Sequence, residues 1–114
     1  QELHNKLDQM ILAGQALAAF EELYAPGVVM QENNDPPFVG KDLNRQREID
    51  FFASVAELHS ARVLSSAVQG DVSFSEWEMD LTFRNGYRAQ LCQVAVRRWQ
   101  NGQIIHERFY YQKG

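Results

Sequence analysis

Apolar positions divide the chain into a helix-patterned first half and a strand-patterned second half. Leu3, Leu7, Met10 and Ile11 recur at helical spacing, and Leu17, Phe20 and Tyr24 repeat that spacing after Gly14. Two short helices meeting near Gly14 are therefore predicted, with a stop at Ala25-Pro26-Gly27. Val28-Val29-Met30 follows that turn signal and opens a strand running to Glu32. The run Asn33-Asn34-Asp35-Pro36-Pro37 is a loop, because its prolines remove donors and bias their predecessors away from helix. A long helix is expected over residues 41–58 after Gly40. Its stripe would be Leu43, Gln46, Ile49, Phe52 and Ala56, widened by Phe51 and Val55.

Beyond His59 the period becomes two. Residues 61–69, 72–83, 87–99 and 103–111 read as four strands joined by two-residue turns at Gly70-Asp71, Asn85-Gly86 and Asn101-Gly102. Those turns imply a register. Trp99 faces Ile104 and Val94 faces Phe109, while Met79 faces Cys92 and Trp77 faces Val94. One face then collects Trp77, Met79, Leu81, Gln90, Cys92, Val94, Val96, Ile105, Glu107, Phe109 and Tyr111. The other carries Glu76, Glu78, Asp80, Gln93, Arg97, His106, Arg108 and Tyr110, with charges of both signs.

Length and charge narrow the function classes. One domain fits 114 residues, and 45% hydrophobic with 23% charged residues is ordinary for a globular protein. The formal charge of −4 disfavours nucleic acid, which needs a positive footprint. A single cysteine gives neither an internal disulfide framework nor a cysteine-based metal site. His4, His59 and His106 lie on separate elements, so no metal centre is expected. The most apolar stretch, residues 10–20, is about half the length of a membrane span. No secretory signal is visible, and a cytoplasmic location is the expectation.

The order of elements, the run Glu-Leu-Tyr-Ala-Pro-Gly-Val-Val at residues 22–29, and Trp-Gln-Asn-Gly-Gln-Ile-Ile-His-Glu-Arg-Phe-Tyr-Tyr at residues 99–111 resemble the nuclear transport factor 2-like superfamily. Within it the chain is most similar to SnoaL-like proteins, relatives of ketosteroid isomerase and limonene epoxide hydrolase. The resemblance spans nearly all of residues 1–114 as one domain. It implies an α+β, cystatin-like cone, with three helices packed on a curved, mostly antiparallel sheet, a pocket inside, and a homodimer through the outer sheet face.

The resemblance also places Glu32 where the isomerase keeps its catalytic carboxylate. A carboxylate beside an apolar pocket is pushed towards neutrality and suits proton abstraction next to a carbonyl. The bland alternative is a strand-end glutamate in solvent or bonded to the Asn33-Asn34 loop. The isomerase's oxyanion donors would fall at Leu7, Met10 or Ile11 and at Cys92, Val94 or Val96. The epoxide hydrolase's ionisable residues would fall at Trp77, Met79 and Phe109. Neither set is present, so both specific activities are disfavoured.

The pocket expected from the register is lined by Phe38, Trp77, Met79, Gln90, Cys92, Val94, Glu107, Phe109 and Tyr111. Gln90 and Tyr111 would orient a ligand oxygen, and Glu107 would be a second pocket acid. Ordinary packing is the alternative for each. The function expected is a small-molecule pocket for an apolar or carbonyl-containing molecule, without cofactor, that carries out proton transfer of the isomerase or cyclase type. A ligand carrier or sensor, or a protein-interaction module using the charged sheet face, remains open.

Overall fold

The computed structural model describes residues 2–112. Helices α1 (Glu2–Leu12) and α2 (Ala16–Leu23) lead into strand β1 (Tyr24–Glu32) and a two-residue strand β2 (Phe38–Val39). Helix α3 (Lys41–Ser54) follows, then β3 (Val55–Gln69), β4 (Val72–Phe83), β5 (Arg88–Gln100) and β6 (Gln103–Tyr111). The six strands form one sheet in the order β2-β1-β6-β5-β4-β3. Only the β1–β6 pair is parallel. Three helices on a mostly antiparallel sheet give the expected α+β cone.

The core forms where α1 and α2 meet β1 and β6. Leu7, Phe20, Leu23, Tyr24, Val28, Met30 and Ile104 are buried together, and Phe20 stacks on Tyr24 with ring centroids 4.7 Å apart. Each such side chain contributes about 1.5–3 kcal/mol by leaving water. The helical spacing of Leu7 and Phe20 and the alternation of Val28 and Met30 bring these residues together.

Four details depart from the sequence reading. First, β1 begins at Tyr24 and runs through Pro26 and Gly27 rather than starting after them. Second, α3 ends at Ser54, and residues 55–60 join β3, because β4 offers a pairing edge (Val55 with Phe83, Leu58 with Leu81) that outweighs local helical preference. Third, α3 is turned over. Leu43, Ile49 and Phe52 are exposed. The inward stripe is instead Asn44, Arg47, Glu48 and Phe51, at i, i+3, i+4 and i+7.

The fourth departure inverts β5. The β4–β5 loop has three residues, 84–86, with Phe83 N–H bonded to Tyr87 O at 2.8 Å. Asn85 does not take a positive φ, whereas Gly86 does (91°), so Asn85-Gly86 is no two-residue turn. Trp77 therefore pairs with Gln93 and Met79 with Leu91. At the next turn Asn101 and Gly102 both have positive φ, 54° and 78°, as the two-residue geometry requires. Trp99 pairs with Ile104 as expected, but Arg98 pairs with His106, leaving Ile105 as the extra residue of a β-bulge. The two one-residue shifts cancel across β5. Strand β4, and β6 from His106 onward, thus keep their expected faces, Ile104 turns inward with Trp99, Ile105 turns outward, and every side chain of β5 changes sides.

A candidate small-molecule site on the inner face

The helix-covered face of the sheet has a sealed part and a partly covered part, with Leu81 buried beyond the latter. Ser73, Ser75, Trp77, Ala95, Arg97 and Glu107 are buried, whereas Met79, Leu91, Gln93, Phe109 and Tyr111 on the same face are only partly covered.

The sealed part holds an ion network. Arg97 Nε donates to Glu107 Oε2 at 2.8 Å, and Arg97 Nη1 donates to Asp8 Oδ1 at 2.8 Å. Tyr24 donates its phenol proton to Glu107 Oε1 at 2.7 Å, and Ser75 donates to Asp8 Oδ2 at 2.6 Å. His4 Nε2 lies 3.3 Å from Ser75 Oγ, while its Nδ1 is buried without a hydrogen-bond partner among the described residues. Burial, then the charge of Glu107, pushes the Tyr24 phenol well up. Burial pulls the His4 imidazole down, against the pull of Asp8. Burial also opposes the charge on Arg97, but Glu107, Tyr24 and Asp8 outweigh it and raise its pKa. Breaking such a set leaves a buried charge uncompensated, so the network fixes how α1, β1, β5 and β6 meet.

At the open part, Glu32 is held from two sides. Arg47 Nη2 donates to its Oε2 at 2.6 Å, and the Tyr111 phenol donates to its Oε1 at 2.5 Å. Burial, then this bond to Glu32, pushes Tyr111 up to about 12. Arg47 lies over the Phe38 ring, 3.7 Å from its centroid, and also donates to Asn44 Oδ1 at 3.1 Å. Asn44 in turn donates to the carbonyls of Phe38 (3.0 Å) and Gly40 (2.9 Å), which anchors α3 to the β2 segment.

Glu48 stands one residue further along α3. It accepts no hydrogen bond and forms no ion pair among the described residues. Burial first, then the charge of Glu107, with a smaller push from Glu32, outweighs Arg47 and lifts the carboxyl to about 7. A carboxyl titrating there can both take and give a proton at neutral pH.

Of the residues expected to line a pocket, Met79, Phe109, Tyr111 and Phe38 are partly covered, the first three on the inner face and Phe38 beneath the Arg47 guanidinium. Trp77 and Glu107 also point inward but are sealed in the interior, with both Glu107 oxygens already bonded. Gln90, Cys92 and Val94 are exposed on the outer face, so their expected place in the pocket is corrected. The three-residue loop and the Ile105 bulge put Leu91, Gln93 and Arg97 there instead. The expected outer placement of Gln93 and Arg97 is corrected for the same reason. Asp8, Asn44, Arg47 and Glu48 were not anticipated. The i, i+3, i+4 recurrence of polar residues on α3 was the available signal, hidden by the expectation that a helix turns its apolar side inward.

His59, just past the expected end of the long helix, is five residues beyond the observed end of α3 at Ser54. It lies in β3, with Nε2 2.8 Å from Thr82 Oγ1. Two cavities lie away from these groups. One of about 440 Å³ sits between the start of α1 and the turns at residues 70–71 and 101–102, with His4 and Trp99 on its wall. The other, about 300 Å³, lies between β3, β4 and Val94 of β5, lined by Phe74 and Ser65. Neither includes Glu32, Glu48, Gln93 or Tyr111. The partial exposure of the inner-face residues, rather than cavity volume, marks the open end. Among the described residues no group of three His, Cys, Asp or Glu side chains is placed to hold a metal ion. No described helix is long and apolar enough to cross a membrane.

The fold is shared with many solved structures. A candidate SnoaL-like polyketide cyclase from Mesorhizobium loti is 25% identical with a TM-score of 0.85, over 96% of this chain and 97% of that one. A candidate isomerase from Bacillus subtilis is 18% identical with a TM-score of 0.78, over 97% and 84%. A protein with a ketosteroid isomerase-like fold from Catenulispora acidiphila, in complex with trimethylamine, is 12% identical with a TM-score of 0.77, over 97% and 85%. The last two likenesses speak to fold alone. A comparison with curated proteins gives no significant match. Residues 1–111 match the model of the SnoaL-like domain, and the chain belongs to that family.

Proposed function

We propose that the open end of the inner face binds a small, mainly apolar molecule bearing a carbonyl and moves a proton on it without a cofactor. The observation that carries this reading is the inversion of α3, which turns Asn44, Arg47 and Glu48 inward and its apolar stripe outward. Placing polar groups where packing alone would favour apolar ones is expected at functional sites. Similarity to a candidate polyketide cyclase supports a carbonyl-bearing ligand. Glu48 is the proton carrier in this proposal, since its carboxyl is unbonded and titrates near neutrality. Glu32 is the alternative base. Both its oxygens already accept bonds, which suits it better to holding Arg47 and Tyr111 in place.

The test is exchange of carbon-bound hydrogen for deuterium next to the carbonyl of simple aryl ketones in heavy water. Wild type should exceed the buffer rate, and Glu48→Gln should lower the enhancement by about 10²-fold or more. Loss in Glu32→Gln with retention in Glu48→Gln would reassign the base to Glu32. Binding without exchange would make the protein a carrier or sensor. The outer sheet face, with Val94 and Tyr110 exposed among charges of both signs, is proposed as the surface for a second copy.

A further inference from the structure

We infer that Gln93 reads the oxygen of the ligand, donating its amide N–H to a neutral carbonyl. This inference rests on the small-molecule reading above. Gln93 lies on the inner face, paired with Trp77 on β4 and with Tyr111 on β6, each cross-strand neighbour about 5 Å away between Cβ atoms. Its amide makes no hydrogen bond among the described residues and is not sealed from solvent. The other neutral donor beside it, the Tyr111 phenol, is already committed to Glu32. Arg47 is committed to Glu32 and Asn44. Gln93 is therefore the uncommitted donor set among the apolar surfaces of Leu91, Met79 and Phe109.

The cations of this face favour a neutral oxygen. Among the described residues its guanidinium groups, Arg47 and Arg97, are already paired with Glu32, Asp8 and Glu107. Neither is left to hold a carboxylate or phosphate, whereas a ketone oxygen accepts from an amide without a cation. A side-chain amide also distinguishes a carbonyl from an isosteric hydrocarbon. Only the carbonyl replaces the water that the amide gives up on binding.

The probes are acetophenone and α-methylstyrene, which differ by an oxygen against a methylene. Binding is followed by NMR shifts of the Met79 and Leu91 methyl groups. In Gln93→Leu the affinity ratio of ketone to hydrocarbon should fall about 3–10-fold, as expected for one lost hydrogen bond. Gln93→Glu keeps the shape but has no donor when ionised, and should lower the ratio as well. Cys92→Ser, on the outer face of the same strand, should leave it within about twofold, separating recognition by Gln93 from a general effect on β5. An unchanged ratio in Gln93→Leu overturns the role of Gln93 while leaving the pocket intact. Absence of methyl shifts with either probe on wild type overturns the pocket and this inference together.

Discussion

At the scale of single residues, two carboxylates of one interior meet opposite fates. Glu107 is saturated by Tyr24 and Arg97, whereas Glu48 has no bonded partner and carries the cost of burial. Its carboxyl titrates near 7 in the folded chain against 4.5 as the ordinary value, so between those limits the folded state holds more protons than the unfolded state. Stability therefore falls as pH rises through that window. Glu48→Gln should raise the urea midpoint above wild type at about pH 8 and match it at about pH 4. A rise of equal size at both values would show that packing, not ionisation, is responsible. Arg97→Met should destabilise the fold by about 3–5 kcal/mol in urea titration, because Asp8 and Glu107 both lose their cation. A loss below about 1 kcal/mol would mean that water reaches and solvates the two acids.

At the scale of elements, the site depends on one loop and one bulge. Gly86 takes φ 91° in the three-residue loop, and Ile105 is the residue left over between the Arg98 and Trp99 pairings. Deleting Ile105 would leave Ile104 and Glu107 two positions apart, the regular spacing at which both still face inward. The deletion variant should therefore keep cooperative unfolding, and Ile105→Thr, at an exposed position, should change stability by about 0.5 kcal/mol or less. Circular dichroism through a thermal scan checks both. A deletion variant without a sharp transition would show that the added twist of the bulge, and not the facing of side chains alone, is required. Helix α3 depends on longer-range partners. Its inward face is held by Asn44 on the carbonyls of β2 and Gly40, by Arg47 on Glu32 and by Phe51 edge-on to Phe83.

At the scale of the whole molecule, one end of the cone is fastened and the other is left accessible. The Asp8–Arg97–Glu107 network ties α1 to the sheet where side chains are sealed, and the Glu32–Arg47–Tyr111 set lies where they are partly covered. The outer face presents Val94 beside a groove containing Phe74 and Glu76. If a second copy covers this face, Val94→Arg should shift sedimentation toward the monomer without altering ketone exchange at the inner face. Exchange lost along with assembly would mean that the partner copy completes the site.

The sequence by itself determined the order of the three helices and five longer strands, the helical spacing of Leu7 and Phe20, the Asn101-Gly102 turn and the faces of β4. These depend on local periodicity and on backbone angles that few residues adopt. Strand β5 was not legible. Its alternating sets, Ala89-Leu91-Gln93-Ala95-Arg97 and Gln90-Cys92-Val94-Val96-Arg98, are each part apolar and part polar, so hydrophobicity does not choose between them. Only the hydrogen bonding of the Phe83–Tyr87 closure and the Ile105 bulge decided the register. Glu32 was legible as a strand-end acid, but Arg47 and Glu48 were not, because a polar stripe on a helix ordinarily faces water. The tertiary structure turned that stripe inward, since Asn44 and Arg47 find carbonyl and carboxylate partners on β1 and the β2 segment that no neighbour in sequence supplies.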